Sequence, residues 1–293
     1  MKKIIFLILI LINVVVFANN EDWRNLVIAQ FREISEPLFN YGEATQPQFD
    51  IFYTDMVERY PTQMQAEKAL EYAINRFDGA SDYVLENAEI WKGQISNSTK
   101  LNTLIDLAVN SPLIEVRMAG FEMYLAENNF DKTEEQIDNI LQRFQKAPEK
   151  NAGWAMWAIG AIAARGIDRD RVFDELIYTT TDPNPEIRRS AVNGLSRFGG
   201  EEVVLPLLEI AQYDSSPIIQ ERAFCGLAQT GTLNVAERYS ALSGLLSIAQ
   251  DPQSNQQTLD WTYQALKEIS HIYTLADESD LWEKKLKSLN LVN

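Results

Sequence analysis

The chain has 293 residues, enough for one elongated repeat array or two compact domains, and 46% of them are hydrophobic, enough to fold most of it. Its 26 basic and 42 acidic residues leave a net charge of −16, a field that repels phosphate backbones and anionic lipid and argues against nucleic acid as a partner. One histidine, His271, and one cysteine, Cys225, leave no disulfide to form and no cluster for a zinc site or a Ser/His or Cys/His catalytic pair.

The first element in chain order is a targeting segment. Lys2 and Lys3 precede an apolar run, Ile4 to Ile12, continued by Val14 to Phe17, and Val16-Phe17-Ala18 offers the small or branched residues a signal peptidase reads. Residues 1–18 are therefore predicted to be a signal peptide cleaved after Ala18; the alternative is a retained anchor, although the run is shorter than the ~20 residues of a spanning helix. No cysteine lies near the cleavage site to carry a lipid, and the missing disulfide framework points to a bacterial periplasm, or to secretion. Cleavage takes two lysines and no acid with it, which moves the net charge to −18. No membrane insertion is expected afterwards.

Residues 19–100 read as a helical region, either diverged repeats or a cap. Leu70, Ala73, Ile74 and Phe77 form one apolar stripe at i, i+3, i+4, i+7, and Val84, Ala88 and Trp91 form another. From residue 101 a phrase recurs. Asp182-Pro-Asn-Pro-Glu-Ile-Arg-Arg-Ser-Ala-Val-Asn-Gly-Leu195 returns in degraded form from Asp214, with Pro185/Pro217, Ala191/Ala223, Gly194/Gly226, Leu195/Leu227 and Gly199/Gly231 all 32 residues apart. Such a period marks stacked helix pairs, none of which can bury its apolar face alone. Ser111-Pro112, Asn184-Pro185 and Ser216-Pro217 are expected to open second helices as N-cap and first helical residue. Gly166, Gly199 and Gly231 are expected just past their ends. The predicted pairs are 101–109/112–127, 133–147/151–165, 168–180/184–198, 201–213/216–230 and 234–249/255–272, with a C-terminal capping helix within 273–293.

Asp182-Pro-Asn-Pro-Glu-Ile187-Arg188, followed by Ala191 and Gly194-Leu195, resembles the HEAT and HEAT-like (armadillo-type) repeat family over roughly residues 101–272. The resemblance implies an all-α fold, a right-handed α-solenoid of stacked antiparallel helix pairs with second helices on the concave face. It also implies a ladder in which the turn aspartate and an early arginine of the second helix bond from repeat to repeat. Asp182 and Arg188 fit that ladder; Asp214 fits, but Gln220 holds the arginine slot after it, and the preceding repeat offers Glu149 with Ala155.

The segment 151–165 is apolar on every side, whereas an ordinary solenoid helix has a polar face. In the next repeat Ile187, Ala191, Leu195 and Phe198 are expected to pack inward and Arg189, Asn193 and Arg197 to face out. The 33-residue offset puts Met156, Gly160 and Ala164 on the equivalent row. Two readings stand: another segment covers this helix, or the row is the floor of a concave groove flanked by Trp154 or Trp157 and bordered by Arg189 and Arg197. Such a groove would take a peptide or a partner's helix. The function expected is therefore an exported, non-enzymatic scaffold that binds a protein or peptide. A cell-envelope structural or assembly component is the alternative, and a carboxylate-based hydrolase a third. No cofactor, metal site or catalytic residue is expected. His271 is expected to satisfy a helix-end carbonyl, Cys225 to pack, and Asp168-Arg-Asp170-Arg-Val-Phe-Asp174 to lack the glycine of a calcium loop.

Overall fold

The computed structural model describes residues 58–292, all within the compact unit Gln46–Asn293, and Thr62 opens the first helix that lies wholly within them. The predicted signal peptide and residues 19–57 lie outside the described residues. Helices follow one another as α1 (Thr62–Ile74), α2 (Ala80–Trp91), α3 (Thr99–Val109), α4 (Ile114–Glu127), α5 (Glu134–Lys146), α6 (Pro148–Ala163), α7 (Arg169–Thr179) and α8 (Pro185–Phe198). A 3-10 turn, Glu201–Val203, leads into α9 (Val204–Tyr213), and α10 (Pro217–Ala228), α11 (Val235–Ser240), α12 (Leu242–Gln250), α13 (Gln256–Ser270) and α14 (Ser279–Ser288) complete the set. No strand occurs among the described residues. The fold is a HEAT-like α-solenoid of adjacent helix pairs.

The helix ends follow from local chemistry. Asn184 accepts the Glu186 N–H at 3.0 Å, with Pro185 at the first helical position where no N–H is needed. Ser98, Thr133 and Asn255 cap α3, α5 and α13 in the same way, and Asn234 with Glu237 makes a full capping box. Asp182 and Asp214 act one step earlier, each accepting the N–H two residues on, at 2.7 and 2.8 Å. Gly166, Gly199 and Gly231 have φ of 84°, 64° and 84°, the left-handed values expected past a helix end.

Three local expectations are corrected. Ser111-Pro112 does not open α4: Ser111 Oγ accepts the Leu113 N–H at 3.2 Å in a turn, and the helix starts at Ile114. Phe77 is not on the α1 stripe, because the helix ends at Ile74 and Arg76 takes a left-handed φ of 62°. The helix expected at 234–249 is two, broken at Ala241.

First helices pack on first helices and second on second, as in α1 on α3, α2 on α4, α6 on α8, α8 on α10 and α10 on α13. Pairing extends to α1/α2 as well. α14 packs on α12 and buries Trp282 and Leu286. Rungs about one repeat apart join the first helices and their turns: Arg171–Asp138 at 2.6 Å, Arg169–Glu202 at 2.8 Å and Gln250–Glu283 at 2.9 Å. These are exposed and each stabilises by under about 1 kcal/mol. Most of the stability comes from the buried helix faces, at about 1.5–3 kcal/mol for each large apolar side chain.

The stack has one interruption. Apart from a small cluster at Ala73 and Ala80, the core divides into a cluster from Ala66 to Ala126 and another from Leu125 to Leu286, and the division falls between α4 and α6. Elsewhere second helices run parallel: Glu149 lies by Asn184 and Gly160 by Gly194, in the same order along α6 and α8. Between α4 and α6 the order reverses. Glu122 pairs with Arg165, Phe121 and Tyr124 meet Trp157, and Phe130, just past α4, stacks on Trp154. α4 therefore lies antiparallel across α6, and α1–α4 form a block set against the longer stack of α5–α14.

Candidate partner-binding site

The apolar helix owes its composition to this crossing. α6 is held by α5, by α8 and by α4, so it has almost no free face. Of the row expected on a groove floor, Met156 is fully buried. Gly160 is buried as well: a Cβ there would overlap the Gly194 carbonyl oxygen on α8. Ala164, at the end of the helix, is half-buried. The expectation of an open floor is corrected on this point: small residues on α6 serve a close helix crossing. Of the outward row, Arg189 is part-exposed and paired with Glu186 at 2.6 Å, and Asn193 is half-buried. Arg197 is buried at 8% exposure, its guanidinium carbon 4.9 Å from the Phe121 ring and 5.7 Å from that of Trp157. Ile187, Ala191, Leu195 and Phe198 do pack inward.

Trp154 and Trp157 remain half-buried and line an open cavity of about 160 Å³ with Gly153, Tyr124, Ile105, Val109 and Asp106. It lies where α3, α4 and α6 meet, in the gap left by the antiparallel crossing. Tyr124 packs against Trp157 with the ring centroids 4.1 Å apart and the planes tilted by 53°. Trp154 Nε1–H donates to Asn151 Oδ1 at 3.1 Å, which fixes the indole, and the Arg143 guanidinium carbon lies 4.4 Å from its ring. At Gly153 there is nothing within 4 Å of where a side chain would start.

Asp106 brings a carboxylate to the wall of this cavity, and Glu127 stands within its electrostatic reach. Glu127, at the end of α4, has a buried Oε1 without a hydrogen-bond partner. Burial, and then repulsion from Asp106, push its carboxyl above the ordinary range. Burial pushes the Tyr124 phenol up to about 12, with Glu127 adding to it. Neither Asp106, Tyr124 nor Glu127 was legible as a site residue from sequence, since nothing in the repeat pattern announces that α4 crosses α6.

A second cluster is basic. Arg117 Nη1–H donates to the Ser111 carbonyl at 2.7 Å, six residues back, as Arg188 Nη1–H donates to that of Asp182 at 2.9 Å. Arg117 is thus the ladder arginine of the α3/α4 pair. Arg188 goes on to clasp Asp214 of the next repeat at 3.0 and 3.1 Å. Arg117 instead reaches the Gly231 carbonyl, 114 residues on, at 2.7 Å. Arg197 lies nearby with Nε and Nη1 buried and unpartnered. Burial, then the charges of Arg222 and Arg117, depress it to about 10. The ladder beyond Asp214 is carried by Gln212, which donates to Asp251 at 2.7 Å, while Gln220 caps the Gln212 carbonyl at 3.2 Å.

The remaining candidates are structural. Cys225 is half-buried beside a cavity of about 100 Å³ between α10 and α13, and burial pushes its thiol up, away from the reactive thiolate. His271 is an exposed left-handed residue ending α13 whose side chain makes no hydrogen bond to a carbonyl among the described residues, contrary to expectation. Asp168 is engaged by Arg171. Among the described residues no group of His, Cys, Asp and Glu is placed to hold a metal ion, and no helix is long and apolar enough to cross a membrane.

Residues 137–228, from α5 to the end of α10, match the family model for HEAT repeats. No curated protein matches the chain. The matched segment, under a third of the chain, is the most regular part of the stack, where second helices run parallel and the Arg188–Asp214 rung is complete, and these residues are accordingly similar to HEAT repeats within a HEAT-like helical fold.

Proposed function

We propose that this protein is an exported, non-enzymatic scaffold that binds a protein or peptide, and that the cavity between α3, α4 and α6 receives a side chain of that partner. HEAT repeats form helical scaffolds often used in protein interaction. The observation that carries the specific reading is the cavity itself: two tryptophans and a tyrosine, held by packing and the Asn151 bond, line an open space bounded by Gly153. Rigid aromatic walls around a small pocket are the usual anchor of a protein interface. At about 160 Å³ the space suits one long side chain and is below the ~300 Å³ of a typical small-molecule site. The periplasmic or secreted location follows from the amino-terminal sequence alone and is tested by mass spectrometry of the exported chain: a terminus at Asn19 supports it, and one at Met1 in the membrane fraction refutes it.

The assembly-component reading draws on a different surface. Tyr178 and Tyr213 close equivalent first helices and are 75% and 71% exposed, with Ile218 near them in sequence at 60%. Gly153→Leu separates the two readings. It fills the cavity mouth from a helix position where leucine is favoured over glycine by roughly 0.5–1 kcal/mol, so it abolishes partner binding under the first reading and leaves assembly intact under the second.

A further inference from the structure

We propose that the side chain received by the α3–α4–α6 cavity is cationic, a lysine or arginine presented by the partner. The inference rests on the proposed partner-binding role and names what the pocket selects. Three features converge. Trp154, Trp157 and Tyr124 supply π-faces, to which ammonium and guanidinium groups are drawn. Trp154 already attracts one such group from within the chain, Arg143, 4.4 Å from its ring centroid.

The second feature is the pair of carboxylates. Asp106 lines the cavity, and Glu127 stands within electrostatic reach of both Asp106 and Tyr124. Glu127 Oε1 is buried with no donor, and neither Glu127 nor Asp106 has a salt bridge among the described residues. Two neighbouring carboxylates without a cation repel each other, and a positively charged guest N–H donor in the cavity meets Asp106 directly and relieves that repulsion. An anionic or neutral guest does not offset that repulsion.

The third feature is the field of the whole chain. A net charge of −16 raises the local concentration of basic partners and speeds their encounter. The pocket's volume accommodates a four-carbon stem with an ammonium head, or a guanidinium, but not a folded element.

The test uses small probes on the full exported chain, read by tryptophan fluorescence. N-acetyl-lysine methylamide is compared with N-acetyl-norleucine methylamide, which keeps the stem and lacks the charge, and each is titrated into wild type, Gly153→Leu and the double variant Asp106→Asn/Glu127→Gln. The expected result is saturable quenching by the lysine probe at least about fivefold tighter than by norleucine, loss of that preference in the double variant, and loss of both signals in Gly153→Leu. Equal binding of the two probes to wild type overturns the cationic guest while leaving a partner pocket in place. A lysine preference that survives the double variant overturns it as well, as does absence of quenching by either probe. The partner-binding reading fails separately, if a captured partner binds Gly153→Leu as it binds wild type.

Discussion

Gly160 on α6 and Gly194 on α8 cross with no room for a side chain on either. A Cβ on Gly160 would overlap the Gly194 carbonyl oxygen, and one on Gly194 would lie 2.7 Å from the Met156 carbonyl oxygen. Both partners in the clash are backbone, so neither can swing away. Gly160→Ala is therefore expected to destabilise by about 1–3 kcal/mol despite alanine's better helix propensity. Urea denaturation checks this. A gain in stability would mean that the helices can separate freely.

The Arg188–Asp214 rung joins two repeats through side chains only 13% and 8% exposed. Removing the arginine leaves a buried carboxylate with one partner fewer. Arg188→Ala is expected to cost about 3 kcal/mol, and Arg189→Ala, whose Glu186 pairing is exposed, under about 0.5 kcal/mol. Denaturant midpoints of the two neighbours, measured side by side, provide the check. Equal losses would contradict the ladder.

Arg197 presents the opposite case. Its Nε and Nη1 have no partner, and Arg117 and Arg222 add repulsion, so its charge costs several kcal/mol to bury against a gain of about 2 kcal/mol from the Phe121 and Trp157 faces. Arg197→Met keeps the apolar stem and removes the charge. Unchanged or higher stability is expected in thermal unfolding; a loss above about 1 kcal/mol would show that the guanidinium holds α4 against α8.

Glu127 gives a pH dependence with a definite sign. Its folded carboxyl is pushed above the unfolded value of about 4.3, so the folded state binds the proton more tightly. Its contribution is fully favourable below that pH and is lost as pH rises through the folded value. Glu127→Gln should thus exceed wild type in stability at pH 7, with the difference vanishing below about pH 4. A constant difference across that range would place the effect outside titration.

The helix pairs were legible because their signals are local. Asn184 with Pro185 and the left-handed Gly199 and Gly231 mark ends that depend on neighbouring residues alone. The covering of α6 was not legible in the same way. An all-apolar helix says that something lies over it; that α4 does so, and antiparallel, depends on contacts such as Glu122–Arg165 and Arg117–Gly231, 43 and 114 residues apart. The same gap explains the site. Trp154 and Trp157 stood out by composition, whereas Asp106, Tyr124 and Glu127 gained their setting only from that crossing. Met156 and Gly160 looked like a groove floor because a small residue at a close crossing and one in an open groove read alike.

The central claim is that partner binding runs through the α3–α4–α6 cavity, and one comparison tests it most directly. A partner captured from envelope extract on the immobilised wild-type chain is purified, and its Kd is measured for wild type and for Gly153→Leu at matched thermal stability. At least a tenfold loss is expected in the variant, because the leucine adds a bulky side chain at the cavity wall that Gly153 leaves open. An unchanged Kd in a folded Gly153→Leu chain would contradict the claim and move the binding surface elsewhere on the stack.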